Sequence, residues 1–151
     1  MIVKIDFQNI SLLKKLFELQ KDSYLVEAEL IQFFDIPPLK ESFEEFQECG
    51  EKFLGYFEAD ELAGALSYTI DGEELTICRT VVHPKHFRKG IGQDLVNAVE
   101  ETNKEQEVFK VSTGKDNTPA KNLYLKNGYQ LVCDLEVAPG FYISEFEKRR
   151  V

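Results

Sequence analysis

The chain has 151 residues, enough to bury a substantial core, and we expect one domain over residues 1–151. A formal net charge of −9 argues against nucleic acid as a partner, and no apolar run reaches the ~18 residues that a membrane span requires. Because the N-terminus lacks the layout of a signal peptide and the cysteines are scattered, we expect a cytoplasmic protein with neither a metal site nor a disulfide framework.

The charge is distributed unevenly along the chain. Residues 1–78 carry 6 basic and 17 acidic side chains, a net charge of −11, whereas residues 79–127 carry 9 basic and 6 acidic side chains, a net charge of +3. A polyanionic ligand would therefore suit the middle segment, and the acidic first part would suit a cationic substrate. The alternative is that the acidic side chains serve solubility alone.

The N-terminal part predicts a short strand followed by helices. Ile2–Ile5 has the pattern of a strand, and either Asn9 or Ser11 is able to cap a first helix. A second helix is predicted from Asp22 to about Phe34, ended by the segment Asp-Ile-Pro-Pro that follows it.

After the helices, the spacing of apolar residues changes to that of strands. Ser42 and Glu45 have the spacing of a capping box and predict a short helix that ends near Gly50. Beyond it, Asp71–Gly72 indicates a type I′ hairpin turn. The three predicted antiparallel strands are Phe53–Glu58, Leu62–Ile70 and Glu74–Val82.

Residues 81–99 predict an anion-binding unit made of a strand, a loop and a helix. The strand ends at Pro84, and Gly90 and Gly92 open an amphipathic helix. The first-turn N–H groups of a helix have no partner within it, and glycines leave room for a bulky anion beside them. The connecting loop holds no acid and is rich in basic side chains, namely His83, Lys85, His86, Arg88 and Lys89. A basic run alone is more often a solvated turn, but its combination with a glycine-opened helix favours an anion site.

The glycine pattern excludes two familiar phosphate loops. Neither Gly90 nor Gly92 begins the G-x-x-x-x-G-K-[ST] of a Walker A loop, and Leu95 stands where a dinucleotide-binding fingerprint has its third glycine. Instead, Val-His-Pro at 82–84 and Arg-Lys-Gly-Ile-Gly at 88–92 resemble motif A of the GNAT acetyltransferases, [Q/R]-x-x-G-x-[G/A] after a strand and often after Val-x-Pro. Phe87 stands where that motif has Gln or Arg, so the resemblance supports a backbone contact with a pyrophosphate more than a side-chain contact.

A second segment resembles the same family. A strand predicted at Glu107–Ser112 completes a β-α-β unit with parallel strands, and residues 117–129 then match the GNAT pattern N-x-x-A-x-x-L-Y-x-x-x-G-[FY] at every named position. Thr118 would cap this helix, and Gly128 would end it in the left-handed region. The last two strands are predicted at 130–136 and 141–148. An exposed strand edge after residue 141 would be able to support a homodimer.

The resemblance spans roughly residues 53–148 and implies the fold and the cofactor. The implied fold is α/β (α+β): a mixed, mostly antiparallel central sheet of about six or seven strands, flanked by helices, with a V-shaped splay between the fourth and fifth strands. Acetyl-coenzyme A is the implied co-substrate, with main-chain groups at 81–83 exposed by the splay, and Asn117 would either bind its pantetheine arm or cap the helix. The cofactor contacts that the resemblance implies are Val81, Val82, His83, Phe87, Arg88, Lys89, Gly90, Ile91, Gly92, Gln93, Asn117 and Ala120.

Acyl transfer from a thioester to an amine needs a proton donor for the departing thiolate and a base for the amine. By the resemblance, Tyr124 is the donor; the alternative is that it is a core aromatic at helical spacing from Ala120. The base is either a water relay or a carboxylate of the helical region, such as Glu27 or Glu29. Arg79 is a further candidate for substrate contact.

These observations predict an acetyl-coenzyme A-dependent N-acetyltransferase. It would move the acetyl group directly to a primary amine of a small molecule, a peptide or a protein, with a mild preference for a cationic acceptor. The alternative is a non-catalytic acyl-coenzyme A sensor or partner-binding module on the same fold, because a fold does not fix a function. A nucleotide-binding regulator is the remotest of the three hypotheses.

Overall fold

The computed structural model describes residues 1–32, 34–35 and 37–150. The strands are β1 (Ile2–Lys4), β2 (Lys52–Glu58), β3 (Glu61–Asp71), β4 (Glu74–Val82), β5 (Val108–Gly114), β6 (Gln130–Ala138) and β7 (Phe141–Arg149). The helices are α1 (Ile10–Ile31), α2 (Pro37–Lys40), α3 (Phe43–Gln47), α4 (Ile91–Thr102) and α5 (Thr118–Lys126), and a 3₁₀ turn covers Pro84–His86.

The strands form one sheet in the order β1-β2-β3-β4-β5-β7-β6. Neighbouring strands are antiparallel except β4 and β5, which are parallel. This pair is hydrogen-bonded only where Glu74–Ile77 faces Val108–Val111, after which the two strands diverge. The predicted fold class, including the splay between the fourth and fifth strands, is therefore confirmed.

Helices cover both faces of the sheet. On β3, Leu66 belongs to an apolar cluster with α4 and α5, whereas the adjacent Ala65 belongs to a second cluster with α1 and α3. Because successive residues of a strand point to opposite faces, α4 and α5 cover one face and α1 and α3 cover the other. Residues of α1 and α5 line common cavities where β4 and β5 separate, and this gap positions the candidate site.

The two helices predicted between Asn9 and Phe34 are a single helix, so the predicted second start at Asp22 is wrong. Asn9 caps α1, its side chain accepting the N–H of Leu12. Asp22 favours a helix start locally, but no glycine or proline interrupts residues 10–31. Buried residues also continue along one face through Ala28, so tertiary packing outweighs the local signal.

The end of α1 also differs from the prediction. The helix ends at Gln32, which is in the left-handed region with φ 55°. The predicted end falls partly on Phe33 and Ile36, which lie outside the described residues. The prolines predicted to stop the helix begin α2, because the first helical turn needs no N–H from proline.

Three local predictions have different outcomes. The capping box is confirmed, since Ser42 accepts the N–H of Glu45 and the Glu45 carboxylate accepts the N–H of Ser42. The β3–β4 turn is not of the predicted type I′, which requires a positive φ at both central residues. Of these, Gly72 has a positive φ and Glu73 does not, as in a type II′ turn. The predicted free edge after residue 141 is also wrong, because β7 lies between β5 and β6 and leaves β6 at the edge.

Candidate active site

The start of α4 presents main-chain donors to a cleft. Gly90 precedes the helix in the left-handed region with φ +77°, a conformation that a residue with a Cβ adopts at a cost. The first intrahelical bond runs from the N–H of Asp94 to the carbonyl of Gly90, so the amides before Asp94 have no helical acceptor. In the described part of the chain, no side chain caps this helix. These amides and the positive end of the helix dipole suit an anion.

The basic loop before α4 is held by carboxylates of β2 and β3. Lys85 lies 2.6 Å from Glu61, and Lys89 lies 3.1 Å from Glu58. The Nδ1 atom of His86 lies 2.8 Å from the same Glu58 carboxylate, whose pKa is lowered by the hydrogen bond from Lys89. Of the lysine and arginine side chains of this loop, Lys85 and Lys89 thus pair with carboxylates, and Arg88 lies on the cleft wall, as does His86.

The cleft has a volume of about 610 Å³ and lies between α1, α4 and α5. Most of the predicted cofactor contacts lie on its wall: Val82, Phe87, Arg88, Gly90, Ile91, Gly92, Gln93, Asn117 and Ala120. Val81, His83 and Lys89 do not line it. The Lys89 side chain is paired with Glu58. The main-chain groups of Val81 and His83 are directed to β3, as the strand pairing shows.

The pairing of β4 with β3 decides which main-chain groups face the gap. The N–H of His83 donates to the carbonyl of Ala63, so the groups of His83 and, two residues earlier, Val81 are directed to β3. Thr80 and Val82 alternate with these residues and therefore direct their N–H and C=O groups to the side on which β5 has separated. The prediction of main-chain contacts at the splay applies to Val82 but does not fit Val81 and His83.

Tyr124 lies where the cleft meets the gap. Its side chain is buried, with the ring packed against Tyr129 and Phe146, and its hydroxyl donates to Oγ1 of Thr80 at 3.1 Å. Burial raises the pKa of Tyr124 to about 12. The ring is therefore part of the core, as one of the two interpretations expected, while its hydroxyl also lines the cleft.

A smaller cavity of about 170 Å³ occupies the gap itself. Its walls are Ile77–Thr80 of β4 and Val111–Thr113 of β5, and Tyr24 and Glu27 of α1 face it. It shares Glu27, Thr80, Asn117, Ala120 and Tyr124 with the larger cleft, so the two spaces adjoin at these residues.

Of the two candidate bases on α1, the structure brings only one to the site. Glu27 lines both cavities, and burial raises its pKa, with a hydrogen bond from Asn117 acting in the opposite direction. Glu29 is exposed and lines neither cavity. Asn117 also caps α5 by accepting the N–H of Ala120 at 3.2 Å, so the predicted cap at Thr118 is wrong by one residue.

Arg79 has its guanidinium in a buried ion-pair network. Glu41 and Glu51 each accept two of its hydrogen bonds, and Gln20 of α1 accepts the fifth. A guanidinium has five N–H donors, so none is left for a substrate. This network joins α1 to β4 and to the segment around α3, and the geometry does not support the predicted substrate contact.

The described residues offer no group of three or more His, Cys, Asp or Glu side chains that could hold a metal ion. None of the helices in the described part of the chain has both the length and the apolar character needed to cross a membrane.

Residues 13–129 match the acetyltransferase (GNAT) family. The chain belongs to this family. Over its whole length it is also 37% identical to the UPF0157 protein YqkA of Bacillus subtilis (strain 168), of which it spans 45%. The chain thus covers less than half the length of this curated relative.

Solved GNAT structures share the fold. The PaiA N-acetyltransferase of Thermoplasma acidophilum, in complex with coenzyme A, superposes with a TM-score of 0.80 at 19% identity, covering 99% of this chain and 98% of that one. The ribosomal-protein-S18-alanine N-acetyltransferase of Escherichia coli gives a TM-score of 0.80 at 13% identity, covering 99% and 92%. At these identities the likeness establishes the fold and leaves the acceptor open.

Two residues of the site were missed by the GNAT-based prediction. Thr80 accepts the hydrogen bond of Tyr124, and its place in the alternation Thr76, Cys78, Thr80 gave a signal that one face of β4 is polar. Tyr24 faces the smaller cavity from α1, but its spacing is equally that of a core aromatic. Only the register of α1 over the gap distinguishes these alternatives.

Proposed function

We propose that the protein is an acetyl-coenzyme A-dependent N-acetyltransferase that moves an acetyl group directly from the thioester to a primary amine of a small molecule or a peptide. Family membership supports the reaction class, and the coenzyme A complex of a protein with the same fold supports the donor. The observation that carries the proposal is the Tyr124 hydroxyl, held at the junction of an anion-binding cleft and a second cavity.

The residues of the cleft suit coenzyme A. The unpaired amides at the start of α4 would donate hydrogen bonds to the pyrophosphate, and Arg88, which forms no salt bridge with the described residues, would add positive charge. Thr80 and Val82 of β4 would offer main-chain hydrogen bonds to the pantetheine arm.

Tyr124 would act as the general acid. When the amine nitrogen bonds to the thioester carbon, the carbon–sulfur bond breaks and the departing thiolate needs a proton. With a pKa of about 12 the phenol is fully protonated at neutral pH, so the proton is available at every turnover. The hydrogen bond to Thr80 fixes the direction of the hydroxyl.

The test is thiol release from acetyl-coenzyme A in the presence of a panel of primary amines. We expect Tyr124→Phe to lower kcat by about 10²–10³-fold, as for loss of a general acid, while the dissociation constant of coenzyme A is unchanged. Tyr142→Phe is the matched control, since this tyrosine is 40% exposed on β7 and lines neither cavity. A wild-type kcat in Tyr124→Phe would contradict the assignment.

The same assay separates the enzyme from a non-catalytic module. If coenzyme A binds but no amine of the panel is acetylated, and Tyr124→Phe changes nothing, the chain is an acyl-coenzyme A sensor on this fold. The alkaline side of the pH–rate profile gives an independent check, because a phenol with a pKa of about 12 should cause no loss of rate below about pH 11.

A further inference from the structure

We propose that Glu27 is the catalytic base, which takes the proton from the ammonium group of an acceptor bound in the smaller cavity between β4 and β5. This inference rests on the proposed acetyl transfer and extends it to the acceptor side. It replaces the water relay, which the sequence left as an equal alternative, with a named carboxylate.

The position of Glu27 is the first argument. Among the described residues that line the two cavities, Glu27 is the one carboxylate, and it lines both. It projects from α1 on one face of the sheet, whereas Tyr124 projects from α5 on the other, and the separation of the strands brings both to one space. An acid and a base on opposite sides of the reacting centre is the arrangement that amine acylation requires.

The surroundings of Glu27 give the second argument. Asn117 is held in place as the cap of α5 and lines the same cavities as Glu27, and its side chain acts to lower the pKa of the Glu27 carboxyl. Burial outweighs this effect and raises the pKa of Glu27 above its ordinary value, which makes the carboxylate a better proton acceptor. The helical neighbour Glu29 is exposed and lines neither cavity.

The charged and titratable groups around Glu27 do not compete for this role. Arg79 is the nearest cation on β4, and its donors are taken by other side chains. The further groups that face the same two cavities are Tyr24 on α1, Cys78 on β4, Tyr124 on α5, His86 and Arg88 on the loop before α4, and Lys126 at the end of α5. None is a carboxylate able to form an ion pair with an incoming ammonium.

The proton balance is closed by these two residues. Glu27 takes one proton from the ammonium and passes it to water, which leaves the amine free to attack. The nitrogen–carbon bond forms, the carbon–sulfur bond breaks, and Tyr124 supplies the proton that the sulfur gains. The second proton lost by the nitrogen restores Tyr124. The products are an amide, a thiol and one proton in solution.

The cavity also limits the acceptor. A space of about 170 Å³ with a single carboxylate fits the end of a primary aliphatic amine carrying one positive charge at the reacting nitrogen. The neighbouring hydroxyls of Tyr24, Thr80 and Thr113 are further hydrogen-bond partners for that end.

The kinetic test compares Glu27→Gln with Glu29→Gln, the same change two residues along α1. With an amine that the wild type acetylates, we expect Glu27→Gln to lower kcat by about 10²–10³-fold near pH 7 and to leave coenzyme A affinity unchanged. The deficit should shrink as the pH approaches the pKa of the amine, because the solution then supplies unprotonated acceptor. Glu29→Gln should follow the wild type throughout.

Two kinetic outcomes would overturn the inference. A wild-type rate in Glu27→Gln would remove the residue from catalysis. A raised KM with an unchanged kcat, and with the same decrease in kcat/KM at every pH, would assign Glu27 to ammonium binding alone. In both cases Tyr124→Phe would still react more slowly than the wild type, so the proposed function would stand. Absence of turnover by the wild-type protein with every amine would instead remove the proposed function and the inference together.

Thermal unfolding gives a readout that needs no acceptor. A carboxyl whose pKa is raised by folding favours the native state while protonated, and this contribution is lost as the pH rises through the raised pKa. Glu27→Gln should therefore raise Tm near pH 8 and leave it unchanged near pH 4. An unchanged or lower Tm near pH 8 would show that folding does not disfavour the charged form of Glu27. This result would contradict the argument from the surroundings of Glu27.

Discussion

Arg79 connects the helical region to the sheet, because all five of its guanidinium N–H groups bond to side chains of α1 and of the segment around α3. It lies on β4 between Cys78 and Thr80, and from the sequence it is a candidate for substrate contact. Its partners Gln20, Glu41 and Glu51 lie 28 to 59 residues away along the chain. No local pattern could identify them, because an ion pair of this kind exists only once α1 and α3 are folded against the sheet.

Loss of Arg79 should destabilise the protein strongly. Arg79→Ala leaves Glu41 and Glu51, with side chains only 16% and 14% exposed, as buried carboxylates without a cation. Removing one partner of a buried pair costs about 3–5 kcal/mol of the free energy of unfolding, measured by urea denaturation. Arg149→Ala, which removes an arginine that is 73% exposed and paired with Glu147, should change it by less than about 0.5 kcal/mol. Equal unfolding midpoints for the two variants would contradict this role.

At the scale of elements, the segments that were predicted correctly are those governed by local rules. The seven strands, the capping box of α3 and the glycine-opened start of α4 depend on alternation, on caps and on positive φ, all of which adjacent residues determine. The single helix α1 was missed because Asp22 carries a start signal that packing against the sheet overrides. Local patterns also left two candidate bases on α1, and only the register of the folded helix separates Glu27 from Glu29.

Gly90 has a testable consequence for the start of α4. Nothing lies within 4 Å of the Cβ that an alanine would add, so Gly90→Ala should act through the left-handed backbone alone and cost about 1–2 kcal/mol of stability. If φ relaxes, the first amides of α4 reorient, and we expect calorimetry to show a coenzyme A affinity lower by about tenfold, or 1.4 kcal/mol.

The matched control for Gly90→Ala is Gly140→Ala in the β6–β7 turn. Gly140 has φ +76° and equally open surroundings but lies away from the cleft. It should lose comparable stability and keep full coenzyme A affinity. Equal affinities in the two variants would mean that the amides of α4 do not hold the coenzyme.

At the scale of the molecule, the amides proposed to bind coenzyme A and the carboxylate proposed as the base lie on different sides of the sheet, with Tyr124 on the side of α4. The donors at the start of α4 are main-chain amides, which do not titrate, whereas Glu27 reaches the gap from α1. Between about pH 7.5 and 9.5 we therefore expect the dissociation constant of coenzyme A to stay constant within about twofold, while kcat/KM for the amine changes with pH. Calorimetry and initial rates in the same buffers check this. A dissociation constant that follows the rate profile would indicate a titrating side chain on the phosphates.

The continuous helix α1 connects the ion-pair network of Arg79 to Glu27, the proposed base. Gln20, which accepts a hydrogen bond from Arg79, and Glu27 are seven residues apart on one uninterrupted helix, so about 10 Å of rigid rod separates the two. A change that tilts α1 at the turn of Gln20 also moves the Glu27 carboxylate, which lies two turns further along the helix. Substitutions that alter the proposed acceptor site can therefore arise at Gln20, or at the carboxylates paired with Arg79, none of which lines the cavity.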